Sequence, residues 1–242
     1  MPSACWLLVL LTLPLLGGEV LPAPVRYGID AGGFRVVVDL ALPALPADQA
    51  TRLEALVAST LPGFMPGQTF TTWVTTQHDQ VLADHAALKA AFPAAASLDG
   101  WFDDTVIRTT WCGGGLICLH REQTSFTGGA HGNVCHAALL VDALTIHALT
   151  LDDLIRREDQ AAFALLVSDT WRAANGLSPQ ARLRDHQLSV DQLPAKLPLI
   201  TATGIEVVYQ PYEVGPYSTG TVRVALTRTQ ARPFLRRDPW DG

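Results

Sequence analysis

Residues 105–142 read TVIRTTWCGGGLICLHREQTSFTGGAHGNVCHAALLVD. Thr105 to Trp111 alternates in the period of a strand, Gly113-Gly114-Gly115 turns the chain, and Leu116 to Phe126 returns. Gly128 to Asn133 makes a second connection, and Val134 to Asp142 reads as a third strand. Three successive strands joined by short glycine-bearing turns predict an antiparallel meander.

Upstream, Phe34, Val36, Val38 and Leu40 alternate with Arg35, Val37 and Asp39, which is again strand periodicity, with Asp30 to Gly33 as the turn before it. Ala47 to Leu61 carries Leu53, Leu56, Val57 and Thr60 at three-and-four spacing, so a helix is expected, ended by Pro62-Gly63. A second helix is expected over about Val74 to Phe92, with Val81, His85 and Leu88 on one stripe; Pro93 and the Ala-rich run close it. Downstream, Thr150-Leu-Asp-Asp153 resembles a capping box with Asp in place of Glu. The helix it opens continues, with a break, through Phe163, Leu166, Val167, Thr170 and Trp171, and Asn175-Gly176 stops it. Leu199 to Thr203, Ile205 to Tyr209 and Thr221 to Leu226 read as strands, and Thr227 to Leu235 as a short terminal helix. Helices and strands come in separate runs. The expected class is therefore α+β, a single domain with an antiparallel sheet (meander plus C-terminal hairpin) packed against a few helices.

The 242 residues are 48% hydrophobic and 17% charged, enough for a real core. Acidic residues outnumber basic ones 23 to 17, for a formal charge of −6, and the cations cluster only as Arg156–Arg157 and Arg236–Arg237. Phosphate neutralisation needs more than that, so nucleic acid is excluded as a partner. Cys5 to Leu16, CWLLVLLTLPLL, is an uncharged apolar run of signal-peptide length, too short to span a bilayer as a helix. Met1 to Ala4 lacks the usual Lys or Arg, and a buried N-terminal element of a cytosolic protein is the alternative. The expected organisation is a signal peptide over 1–23, cut at about 17–23, an α+β domain over 24–236 and a tail over 237–242, in the periplasm or secreted. No membrane span is expected in the mature chain.

With Cys5 removed, Cys112, Cys118 and Cys135 remain. An oxidising compartment favours one bridge, and Cys112 and Cys118 flank a five-residue GGGLI loop that could set them opposite one another; buried, inert thiols are the alternative. A zinc site is the sharper reading of these cysteines, with His120, His131 and His136 nearby. No two cysteines are two to four residues apart, so no metal is expected. Standard active sites are missing as well. Ser218 in GPYSTG misses the nucleophile-elbow spacing by one residue, Gly113-Gly114-Gly115 lacks the rest of a dinucleotide fingerprint, and there is neither a GK[ST] loop nor HExxH. No catalytic residue and no cofactor is assigned.

Two stretches carry a family resemblance. One is Ser125-Phe-Thr-Gly-Gly-Ala-His-Gly-Asn133, with the strand to Asp142 and Leu149 to Leu154 after it; the other is Leu199 to Tyr209 running into Gln210-Pro-Tyr-Glu-Val-Gly-Pro-Tyr217 and Gly220. Together they resemble the domain of unknown function shared by the anti-sigma factor RsiV and the peptidoglycan deacetylase PdaC. That resemblance implies an extracytoplasmic envelope domain, and its RsiV-type members recognise lysozyme. It supplies no catalytic residues.

The candidate binding residues are those of the two motifs: Thr127, Gly128, Gly129, His131, Gly132, Asn133, Tyr212, Glu213 and Tyr217. The glycines allow a tight turn at positive φ. His131 either titrates near neutrality at a site or pins its turn by a hydrogen bond. Tyr212 and Tyr217 are amphipathic rings suited to packing or ligand contact, and Glu213 is either a general acid–base or a brace for loop backbone. The expected function is a binding or sensing module for an envelope protein such as lysozyme or for a peptidoglycan fragment. The alternatives are a periplasmic hydrolase using His131 and Glu213, or a purely structural envelope protein. The mature chain is expected to begin between about Gly18 and Pro24. Intact-mass measurement on protein from its native compartment checks this, and retention of Met1 to Leu16 in a cytoplasmic fraction would contradict it.

Overall fold

The computed structural model describes residues 23–92 and 100–241. The apolar leader and the Pro93 segment lie outside the described residues. The described elements are β1 (Val25–Ala31), β2 (Phe34–Ala41), α1 (Ala47–Ser59), α2 (Phe70–Ala91), β3 (Phe102–Gly113), β4 (Leu116–Phe126), β5 (Asn133–Asp142) and β6 (His147–Leu149). They continue with α3 (Leu151–Leu154), α4 (Gln160–Ala174), β7 (Leu199–Thr201), β8 (Gly204–Tyr209), β9 (Val222–Thr227) and α5 (Arg228–Ala231). The class is mixed α+β. β1 to β6 form a six-stranded sheet in sequence order, and β7 to β9 form a three-stranded one. Two compact units divide the chain, one built on β1, β2, α1 and α2, the other on β5 to β9 and α3 to α5, with β3 and β4 running through both.

In the first unit β1 and β2 pair antiparallel, Val25 opposite Leu40 through Ala31 opposite Phe34. β2 then pairs with β3 in parallel, Arg35 opposite Phe102 through Ala41 opposite Arg108. This pairing departs from the all-antiparallel expectation. Two helices intervene between β2 and β3, and a chain that returns through helices re-enters the sheet in its original direction. α2 begins four residues before the expected start because Thr69 caps it, its hydroxyl accepting from Thr72 N at 3.1 Å. The buried residues of α2 are Phe70, Trp73, Val74 and His78, and Trp73 Nε1 donates to Pro62 O at 2.9 Å.

In the second unit β8 lies between β7 and β9, both antiparallel to it. Phe163, Val167, Ile200, Val207 and Tyr209 are fully buried in its core. The one hydroxyl buried among them in α4, Ser168, is satisfied twice: it donates to Ala164 O at 2.8 Å and accepts from Leu193 N at 2.9 Å. Gly204 opens β8 so close to β9 that a Cβ there would stand 1.9 Å from Leu226 O, which no side chain can relieve. The capping box at Thr150 is present, with Asp153 accepting from Thr150 N at 2.8 Å. The helical stretch after it does break, and α4 starts at Gln160.

Residues 237–241, expected as a tail, are tied down within this unit. Trp111 Nε1 donates to Pro239 O at 3.0 Å, Trp240 Nε1 donates to Thr201 O at 2.8 Å, and Arg237 Nη1 donates to Gly115 O and Asp142 Oδ2, each at 3.1 Å. Asp142 also accepts from Leu144 N and Thr145 N. Hydrogen bonding from Thr145 first, aided by Arg237, lowers its pKa from 3.8 to about 2. A carboxyl depressed on folding contributes stability above its unfolded pKa and loses it as pH falls toward the folded value. Asp142→Asn is therefore expected to melt below wild type at pH 6 and to converge with it as pH drops from about 5 to about 2. The gap closes by about 1 kcal/mol, allowing for solvent screening at Arg237. Parallel thermal melts across that range read it.

Candidate functional site

The first motif is a loop of the first unit between β4 and β5. Gly128 and Gly129 have φ of 85° and 101°, a region that side chains disfavour. Thr127, Gly129, His131 and Asn133 are exposed, while Gly128 and Gly132 are half-buried. His131 Nδ1 lies 2.9 Å from Gly132 O, a local bond within the turn.

The second motif leaves β8 in the second unit. Glu213 closes a turn: its N donates to Gln210 O at 3.0 Å, while its Oε2 accepts from Gln210 N at 3.0 Å. Lys196 Nζ donates to both carboxylate oxygens, at 2.8 and 2.6 Å. Both oxygens of Glu213 are thus engaged, and the side chain braces the loop. Beneath it Tyr209 is buried, its hydroxyl donating to Pro194 O at 2.7 Å. Burial, with the Glu213 charge second, pushes its phenol well above the ordinary tyrosine range. Gly215 packs where a Cβ would meet Gln187 O at 2.7 Å, and Thr219 Oγ1 donates to the same carbonyl at 2.8 Å. On this braced loop Tyr212 is 65% exposed, and its ring lies 5.6 Å from that of Tyr217. Tyr212 has φ of 70°, the left-handed region that a tyrosine enters at a cost of about 1–2 kcal/mol.

Gln210 also reaches beyond its own loop. Its Oε1 accepts from His136 N at 3.2 Å and from Cys135 Sγ at 3.0 Å, fixing the start of β5. His136 is buried, and its ring contacts a second buried histidine, His120 of β4: His120 Nε2 and His136 Nδ1 are 3.2 Å apart. The other ring nitrogen of His136, Nε2, is 3.2 Å from Thr221 Oγ1. A cavity of about 10 Å³ adjoins both imidazoles, with Lys196, Leu199 and Glu206 also on its wall. His120 and His136 stand among the histidines of the zinc candidate that cysteine spacing discounts, but spacing in sequence is blind to the strand register that brings these two together without His131. The signal was there: His120 and His136 each stand eight residues from Gly128, on either side of the turn.

Cys118 is buried whereas Cys112 and Cys135 are exposed, and the described residues show no Cys112–Cys118 bridge. Cys118 is fully buried, with its sulfur accepting from Ile200 N at 3.2 Å, while Cys112 is exposed. A bridge would require both sulfurs on one side of the hairpin. Burial raises the Cys118 pKa, which suppresses its thiolate.

An α+β domain closed by a three-stranded C-terminal sheet, with a braced tyrosine-bearing loop leaving its central strand, is the class these features define. Residues 153–229 match the family described as "Protein of unknown function (DUF3298)". The matched stretch contains the second motif, Gln210 and Thr221. Among solved structures, a DUF3298-family protein from Bacteroides fragilis is similar at a TM-score of 0.73 and 16% identity, over 89% of this chain and 93% of that one. A DUF3298-family protein from Pseudomonas aeruginosa is similar at a TM-score of 0.61 and 19% identity, over 93% and 98% respectively. At these identities the likeness is one of fold. No curated protein matches the chain in sequence.

Alkylation of the native protein is expected to modify Cys112 and Cys135 quickly and Cys118 at least tenfold more slowly. Peptide mapping under non-reducing conditions reads this, and a Cys112–Cys118 cross-linked peptide would contradict it.

Proposed function

We propose that this protein is an extracytoplasmic binding or sensing domain of the cell envelope, with the loop from Gln210 to Tyr217 as its contact surface. One observation carries the reading: Tyr212 is displayed at 65% exposure in a strained left-handed conformation, on a loop that Gln210, Glu213 and Lys196 brace. Strain held at an exposed aromatic points to a functional constraint rather than to packing. Tyr212 and Tyr217 together offer adjoining aromatic faces, suited to sugar rings of a peptidoglycan fragment or to an apolar patch of a lysozyme-like protein. The resemblance to RsiV-type sensors supports the latter ligand. Thr127, His131 and Asn133, exposed on the first loop, form a second candidate surface. The contacts of Glu213 with Lys196 and Gln210 favour its reading as a brace, so the hydrolase alternative gains nothing from them.

Two variants separate display from scaffolding. Tyr212→Ala removes a ring that is 65% exposed and is expected to melt close to wild type while binding at least tenfold more weakly. Tyr212→Gly relieves the positive φ and is expected to melt no lower than wild type, also with weakened binding. Calorimetric titration with muropeptides and, separately, with lysozyme reads both. Wild-type binding retained by the folded glycine variant overturns the assignment of the loop. Absence of binding of either ligand to wild type favours the structural alternative.

A further inference from the structure

We propose that His120, His136 and Glu122 form a binding site for one divalent transition-metal ion, with zinc the best match to the donors. His120 and Glu122 are two residues apart on β4, so strand alternation sends both side chains from the same face. His136 on β5 supplies the third group, and the ligand atoms of the three all lie within 4.8 Å of one another. Both imidazoles are buried, at 2% and 7% exposure, and Glu122 is half-buried.

The spacing is that of coordination. Two nitrogens each about 2.0–2.1 Å from a tetrahedral ion stand roughly 3.3 Å apart, and His120 Nε2 and His136 Nδ1 are 3.2 Å apart. Thr221 supplies the orienting partner that a ligating histidine requires. When His136 Nε2–H donates to Thr221 Oγ1, its proton is fixed on that nitrogen, so Nδ1, which faces His120 Nε2, is the atom it can offer a metal. Gln210 holds the same residue by its backbone N–H. Two neutral imidazoles and one carboxylate are a borderline-soft N₂O set, which selects zinc or its neighbours over calcium or magnesium.

The test uses the whole mature protein, stripped with chelator and with its exposed thiols blocked so that Cys112 and Cys135 contribute nothing. It is titrated with zinc chloride by calorimetry, and with cobalt chloride by visible absorption. The expected result is one ion per chain, visible cobalt bands, and a Tm raised by roughly 5–10 °C at a hundredfold excess over Kd. His120→Ala and His136→Ala are expected to weaken binding at least a hundredfold and to abolish the cobalt bands. Thr221→Val, which touches no metal, is expected to weaken it about tenfold. The histidine variants replace buried groups and can fail to fold. Glu122→Ala alters a half-buried side chain and carries the test separately, with an expected tenfold loss and a shifted cobalt spectrum. Lack of saturable binding by folded wild type overturns the proposal, as does wild-type affinity and spectrum in folded Glu122→Ala.

Discussion

Five successive residues of β4, Leu116 to His120, are buried. A strand with one face in water alternates in burial; this stretch is covered on both faces, so every polar group it carries must find its partner inside the protein. That constraint accounts for much of what surrounds it. The Cys118 sulfur accepts from Ile200 N, and His120 meets the ring of a second buried histidine. A buried imidazole left alone would cost about 1–3 kcal/mol for its unmet hydrogen bonds. His136 and Thr221 remove that cost by extending the chain of contacts to β9's approach.

The second motif acts as a clamp on the same region. Glu213 is engaged by Lys196 and by the backbone of Gln210, which sets the Gln210 side chain toward β5, where one carbonyl oxygen serves both Cys135 and His136. Glutamate, glutamine and tyrosine in that motif therefore divide their work: two secure the loop and strand, and one is presented to solvent. The separation matters for a binding surface, because an aromatic side chain held on a rigid loop loses little conformational entropy when it is covered.

Of the two motifs, the second lies within the family match at residues 153–229, which contains the tyrosine loop. The glycine-rich first motif has a sufficient local explanation in its two positive-φ glycines, so its exposed His131 and Asn133 rest on position alone.

Local patterns were legible in the sequence wherever local physics decides. Period-two alternation and glycine turns placed β3, β4 and β5 within one or two residues, except that β3 starts earlier, at Phe102. The Thr150 capping box and the Asn175-Gly176 stop delimited the helical region, since both depend on groups within a few residues. What only the tertiary structure decided is non-local. The parallel pairing of β2 with β3 follows from how the chain returns through two helices, and no window of sequence contains it. Cys112 and Cys118 are near in sequence, yet burial of Cys118 with Ile200 N on its sulfur depends on β7, some eighty residues away. His120 and His136 became a pair through strand register, a property of two segments together. Side chains that are unremarkable in their own segments acquire chemistry only when folding removes water from between them.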